Sequence, residues 1–86
     1  MNTVIKTAYQ GDYASEFGRH PQGYSRKWKV EEVWHNGQYL GAIECEPEYH
    51  NNRFKAYKGG TPTFGDYLGG FKTHIEAVNI LKREVL

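Results

Sequence analysis

The residues of this 86-residue chain best suited to chemistry are four histidines, one cysteine and two adjacent glutamates. His20, His35, His50 and His74 are widely separated, and none lies close to Cys45 in the chain. Zinc sites usually take at least two ligands from one short stretch, because a single turn can then hold both. No metal site is expected here. Cys45 falls on the expected core face of a strand, where an apolar setting leaves a thiol unactivated. Glu31 and Glu32 are neighbours on a strand, so they point to opposite faces and cannot share a substrate. Residues 65–73 (GDYLGGFKT) approach the phosphate-loop pattern G-x-x-x-x-G-K-[ST], but Phe71 separates Gly70 from Lys72 and moves the lysine out of register. No catalytic constellation and no cofactor are expected.

The elements that position these residues start from Lys27–Glu46 (KWKVEEVWHNGQYLGAIECE), a β-hairpin turning on Asn36-Gly37. A type I′ turn needs two residues that tolerate positive φ. It sets His35 opposite Gln38. Extended without interruption, that register pairs Trp34 with Tyr39, Glu32 with Gly41, Val30 with Ile43 and Trp28 with Cys45 on an apolar face. On the other face it pairs Val33 with Leu40, Glu31 with Ala42, Lys29 with Glu44 and Lys27 with Glu46. A slip of one residue would carry Lys and Glu into the core. Residues 53–58 (RFKAYK) alternate as a third strand. Paired across the loop at residues 47–52, it sets Cys45 against Phe54, Glu44 against Lys55, Ile43 against Ala56 and Ala42 against Tyr57.

Gly59-Gly60-Thr61-Pro62 reads as a turn, and residues 64–72 as a short or bulged strand that places Leu68 and Phe71 in the core. Thr73-His74-Ile75-Glu76 fits a capping box. Ile75, Val78, Leu81 and Val85 then follow at helical spacing, with Ile80 widening the stripe, and Lys82 and Arg83 suit the C-terminal end of the helix dipole. Residues 3–8 (TVIKTA) read as a short strand, with nothing to decide whether it joins the sheet. Residues 10–25, rich in glycine and aromatics, read as a loop. The expected domain is a single α+β unit over residues 1–86. It comprises a loop-rich segment (1–26), an antiparallel sheet of three to four strands (27–72) and one C-terminal helix (73–86) packed on one face.

Composition limits the function. Eleven basic residues against ten acidic leave a net charge of +1, too little to draw in nucleic acid or an anionic membrane by field alone. A single cysteine allows no internal disulfide. Neither a signal-peptide pattern nor a membrane-length apolar run is present in the sequence, so a cytoplasmic setting is expected.

Residues 67–78 (YLGGFKTHIEAV) resemble the strand-to-helix signature of AP2-type DNA-binding domains, which reads aromatic-Leu-Gly-x-Phe-x-Thr followed by Glu-Ala. The resemblance implies a three-stranded antiparallel sheet backed by a helix, with the outer sheet face entering the major groove. Lys27, Lys29, Arg53, Lys55 and Tyr57 would then carry nucleic-acid binding. Glu44 and Glu46 stand among those cations, whereas phosphate binding depends on unopposed ones.

The reading carried forward is a non-catalytic module that binds a protein partner, as accessory or inhibitor proteins of phages and mobile elements do. It rests on balanced charge, seven tyrosines and the aromatic N-terminal loop. Aromatics and arginine carry interface energy out of proportion to their number. The expected contact residues are Tyr9, Tyr13, Phe17, Arg19, Tyr24 and Arg26, with Tyr49 and Tyr57.

Overall fold

The computed structural model describes residues 2–12, 27–46 and 50–86. Within them β1 (Thr3–Asp12), β2 (Lys27–His35), β3 (Gln38–Cys45), β4 (Phe54–Lys58) and β5 (Asp66–Phe71) form one antiparallel sheet in the order β1-β2-β3-β4-β5, followed by α1 (His74–Val85). The fold is α+β, as expected, with a fifth strand beyond the three or four expected. The additional one is β1. Its β-branched Thr3, Val4, Ile5 and Thr7 favour the pleat, and it runs on to Asp12 in the stretch read as loop.

The hairpin turn is as the sequence requires, with Asn36 at φ 49° and Gly37 at φ 82°. His35 faces Gln38 and Trp34 faces Tyr39. Beyond that point the uninterrupted register fails. Val33 pairs with Gly41, Glu32 with Ala42, Glu31 with Ile43, Val30 with Glu44, and Lys29, not Trp28, with Cys45. Leu40 is therefore an extra residue in β3, a β-bulge. It inverts the faces of β2. Val33, Glu31 and Lys29 lie on the inner face with Ile43 and Cys45, while Trp34, Glu32 and Val30 lie on the outer face with Tyr39 and Ala42.

The physical reason lies at Gly41, which is crowded by the backbone of β4 and by the helix. The inner face is apolar: Val33, Leu40, Ile43, Cys45, Phe54 and Ala56 pack against Ala77, Val78 and Leu81. At Gly41 a β-carbon would collide with the Tyr57 carbonyl oxygen and crowd Leu81 Cδ2 at 3.1 Å. The bulge delivers Leu40 into the core and sets Gly41, which has no side chain, against the β4 backbone and Leu81. A register that turned Trp34 and Tyr39 inward would hold the helix away from the sheet.

The expected pairing of β3 with β4 is present from Ala42–Tyr57 to Cys45–Phe54. A second bulge, at Leu68, interrupts β4–β5 between Ala56–Gly69 and Tyr57–Tyr67. Leu68 and Phe71 pack at the margin of the core, as expected.

The helix opens with the expected capping box. Glu76 N donates to Thr73 Oγ1 at 3.3 Å, and Thr73 N donates to Glu76 Oε1 at 3.1 Å. The helix lies over β4, β3 and β5 and reaches only the margin of β2. Its buried residues are Ala77, Val78 and Leu81. Ile75, expected in the apolar stripe, is 61% exposed. His74 stands four residues before Val78 and takes the inward place at the start of that stripe.

Gly41→Ala is expected to destabilise the domain by about 3 kcal/mol or more, since backbone rather than a flexible side chain must yield. Thermal melting followed by circular dichroism checks this, with Gly37→Ala, where no neighbour stands within 4 Å of the added carbon, giving the smaller loss.

Candidate functional site

The inversion of β2 gathers four polar side chains on the inner face at the start of α1. His74 Nε2 lies 2.6 Å from Glu31 Oε1, Lys29 Nζ lies 3.2 Å from Glu31 Oε2, and Cys45 Sγ donates to Glu31 Oε1 at 3.7 Å. The His74 ring also stands edge-on to Phe54, with centroids 5.6 Å apart. Burial by itself would raise the Glu31 pKa. The hydrogen bonds and charges of His74 and Lys29 outweigh burial and hold it below its usual 4.5. An ionised carboxylate only accepts, so His74 carries a proton on Nε2. Burial, together with the Glu31 charge, pushes the Cys45 thiol up to about 12. A thiol held there is no nucleophile at neutral pH. Histidine, carboxylate and thiol thus meet around one carboxylate oxygen, and what they form is a fastening between β2 and the helix. Among the described residues no group of three His, Cys, Asp or Glu is arranged to hold a metal ion.

The outer face is aromatic and acidic. Trp34 and Tyr39 lie 5.1 Å apart between centroids, with Lys6 Nζ 5.3 Å from the Trp34 ring and Trp34 Nε1 donating to Glu32 at 3.4 Å. Tyr57 and Tyr67 lie 5.4 Å apart, and Tyr57 Oη donates to Glu44 Oε1 at 3.3 Å. Burial raises the Glu44 pKa, the neighbouring Glu46 adds to it, and the Tyr57 and Lys55 contacts offset only part. The Tyr57 hydroxyl is itself pushed up to about 12, by burial and then by Glu44. Glu46 collects Lys55 Nζ at 3.0 Å and His50 Nδ1 at 2.9 Å.

The five residues assigned to nucleic acid do not form one surface. Lys29 is on the inner face with Glu31. Lys29 pairs with Cys45, so the expected pair Lys29–Glu44 does not form; for Lys27 only the backbone is described. Arg53 turns back on its own chain, donating from Nε to the Glu46 carbonyl at 2.8 Å with its guanidinium 4.4 Å from the Phe54 ring centroid. Lys55 is ion-paired. Only Lys55 and Tyr57 stand together on the outer face.

Of the expected protein-contact residues, Tyr57 is half-buried beside Tyr67, and Tyr9 pairs with Val30 in β1, its backbone alone being described. Tyr13, Phe17, Arg19, Tyr24, Arg26 and Tyr49 lie outside the described residues.

Phe64 was not among the expected contacts. It is 86% exposed on the loop joining β4 to β5, and Tyr67 just beyond it is 58% exposed. The loop is tightly closed. Phe64 N and Gly65 N both donate to the Thr61 carbonyl, at 3.0 and 2.6 Å. Gly60 and Gly65 approach so closely that a β-carbon on Gly65 would lie 2.8 Å from the Gly60 carbonyl oxygen. The strand expected over residues 64–72 begins only at Asp66, which leaves Phe64 in a Gly-Gly-Thr-Pro-Thr-Phe-Gly loop and not in a strand.

Compared with protein-family models, curated proteins and solved structures, the chain matches none of them. No helix among the described residues is long and apolar enough to cross a membrane.

The two buried carboxylates act oppositely on stability. The folded Glu31 pKa lies below the unfolded value, so its ionised form favours folding at neutral pH, and that contribution is lost as pH falls from the unfolded value through the folded one. The folded Glu44 pKa lies above the unfolded value, so its ionised form opposes folding at neutral pH, and the opposition is relieved as pH falls through the folded value. Glu31→Gln should therefore lower the Tm at pH 7, with a deficit that shrinks on acidification, and Glu44→Gln should raise it. Melts between about pH 3 and pH 8 separate the two.

Proposed function

We propose that the domain is a non-catalytic interaction module that takes a protein partner against the Phe64 loop and the adjoining Tyr67 and Tyr57. The observation that carries this is Phe64 itself, 86% exposed on a loop whose closed backbone gives it no route to the core. A large aromatic held rigidly in water loses little further freedom on binding and gains its full burial. The neighbouring outer face supplies aromatic rings with hydroxyl ends and carboxylates, the mixture that interface cores and rims use. Three glutamates and folded-back or paired cations on that face favour a protein over a phosphate backbone. An accessory or inhibitory role in a cytoplasmic setting, as in phages and mobile elements, belongs to the same proposal and is supported by the small size and the single, buried cysteine.

The test is affinity capture from nuclease-treated bacterial lysate with the wild-type chain and with Phe64→Ala, followed by titration of the captured protein. The expected result is a discrete protein bound at least about tenfold more weakly by Phe64→Ala, with the Tm unchanged. Ile75→Ala, which truncates an exposed apolar residue on the helix, should leave binding as it is. Binding indifferent to Phe64, or capture that vanishes on nuclease treatment, overturns the proposal, the second outcome in favour of nucleic acid.

A further inference from the structure

β1 is an edge strand, and among the described residues nothing pairs with its outer side. Which of its residues face outward follows from the backbone. Asn36 N donates to the Asn2 carbonyl at 2.9 Å, and Asn2 N donates to Asn36 Oδ1 at 3.1 Å. Bonded and non-bonded pairs alternate along an antiparallel ladder. The residues of β1 that bond to β2 near this end are thus Val4 and Lys6, opposite Trp34 and Glu32. The hairpin agrees. Its two-residue turn makes His35–Gln38 a bonded pair, which turns the amide and carbonyl of His35 and Val33 toward β3 and those of Trp34 and Glu32 toward β1. Thr3, Ile5 and Thr7 are left with N–H and C=O groups directed away from the sheet.

These three positions are symmetric about Ile5. The stretch reads Thr-Val-Ile-Lys-Thr. Turned by a two-fold axis through Ile5, it sets Thr3 opposite Thr7 of a second copy, Ile5 opposite Ile5, and Val4 opposite Lys6. All the outward amides and carbonyls then meet in bonded pairs, about six hydrogen bonds in all. The inner-face pairs are β-branched throughout, the residue type that packs best across strands. The one charge in the stretch, Lys6, meets a valine and not its own copy. Its ammonium is already drawn back over Trp34 at 5.3 Å.

Packing points the same way. Val4 is 43% and Ile5 39% exposed, one on each face of the strand. The helix reaches only the margin of β2, so the inner side of Ile5 is uncovered by it. Ile5 pairs with the fully buried Val33, and a second Ile5 across the axis would extend that core row without a break. The bulge at Ala8, between Thr7–Glu31 and Tyr9–Val30, ends the regular stretch just after Thr7. A long regular apolar edge is a template for pairing with another strand, and this one matches its own copy in hydrogen bonds, shape and charge.

We propose that two copies of this chain associate by antiparallel pairing of β1 with β1, two-fold through Ile5, to form one continuous sheet. The interface is isologous, the same patch meeting itself. It is independent of the Phe64 loop.

Sedimentation velocity between about 5 and 500 µM tests it. The wild-type chain should shift from 9.9 kDa toward twice that mass as concentration rises. Ile5→Lys brings like charges face to face across the axis and should weaken association at least about tenfold. Ile5→Glu should do the same, and an equimolar mixture of the two variants should recover the dimer, with circular dichroism showing each variant folded. Three results overturn the proposal: a wild-type monomer at the highest concentration, a dimer indifferent to Ile5→Lys, or a mixture of folded variants that does not associate.

Discussion

The crowding of Gly41 by the β4 backbone and by Leu81 of the helix governs the rest of the architecture. No β-carbon fits at that point, and β3 meets the need by inserting Leu40 beside a residue with no side chain. Everything in β2 follows from it. Val33 turns inward to be fully buried, Trp34 turns outward, and Glu31 and Lys29 are carried to the helix side along with Val33. The outer face owes its aromatic character to the same step, because Trp34 joins Tyr39 there and does not compete with Leu81 for the core.

Carrying a carboxylate inward requires compensation, which α1 supplies. The helix begins on His74 because Thr73 caps it, and the cap places His74 where its ring reaches Glu31. A buried carboxylate stripped of partners would be strongly destabilising. Here it has histidine, lysine and thiol. Glu44, on the other face, has a tyrosine hydroxyl and a more distant lysine, set against the charge of Glu46. The sheet thus holds one carboxylate that its surroundings favour ionised and one that they disfavour, on opposite sides of β3.

Much of this was legible in the residues. Asn36-Gly37 announced the hairpin, alternation in Arg53–Lys58 gave the β3–β4 register pair by pair, and Thr73–Glu76 gave the cap. The faces of β2 were misread because the uninterrupted register took Gly41 as an ordinary strand position, although a glycine inside a strand often marks a bulge. What crowds Gly41 is the Tyr57 carbonyl and the Leu81 side chain, both far along the chain and invisible to any local pattern. The apolar stripe was started at Ile75, although the spacing of His74 to Ala77, Val78 and Leu81 marks the buried stripe better. Phe64 escaped notice because periodicity finds residues that pack, and Phe64 is prominent by its exposure.

The Phe64 loop joins the two strands farthest from β1. With strands about 4.8 Å apart, a sheet continued through the β1 edge would carry two such loops about 40 Å from one another, facing symmetric directions. A partner that is itself two-fold or repeating would meet both at once. The second contact would then form at an effective concentration in the range of about a millimolar, so avidity could exceed single-site affinity by about a hundredfold or more. A weak anchor of one phenylalanine could then give lasting attachment to an assembly while leaving its isolated subunits free.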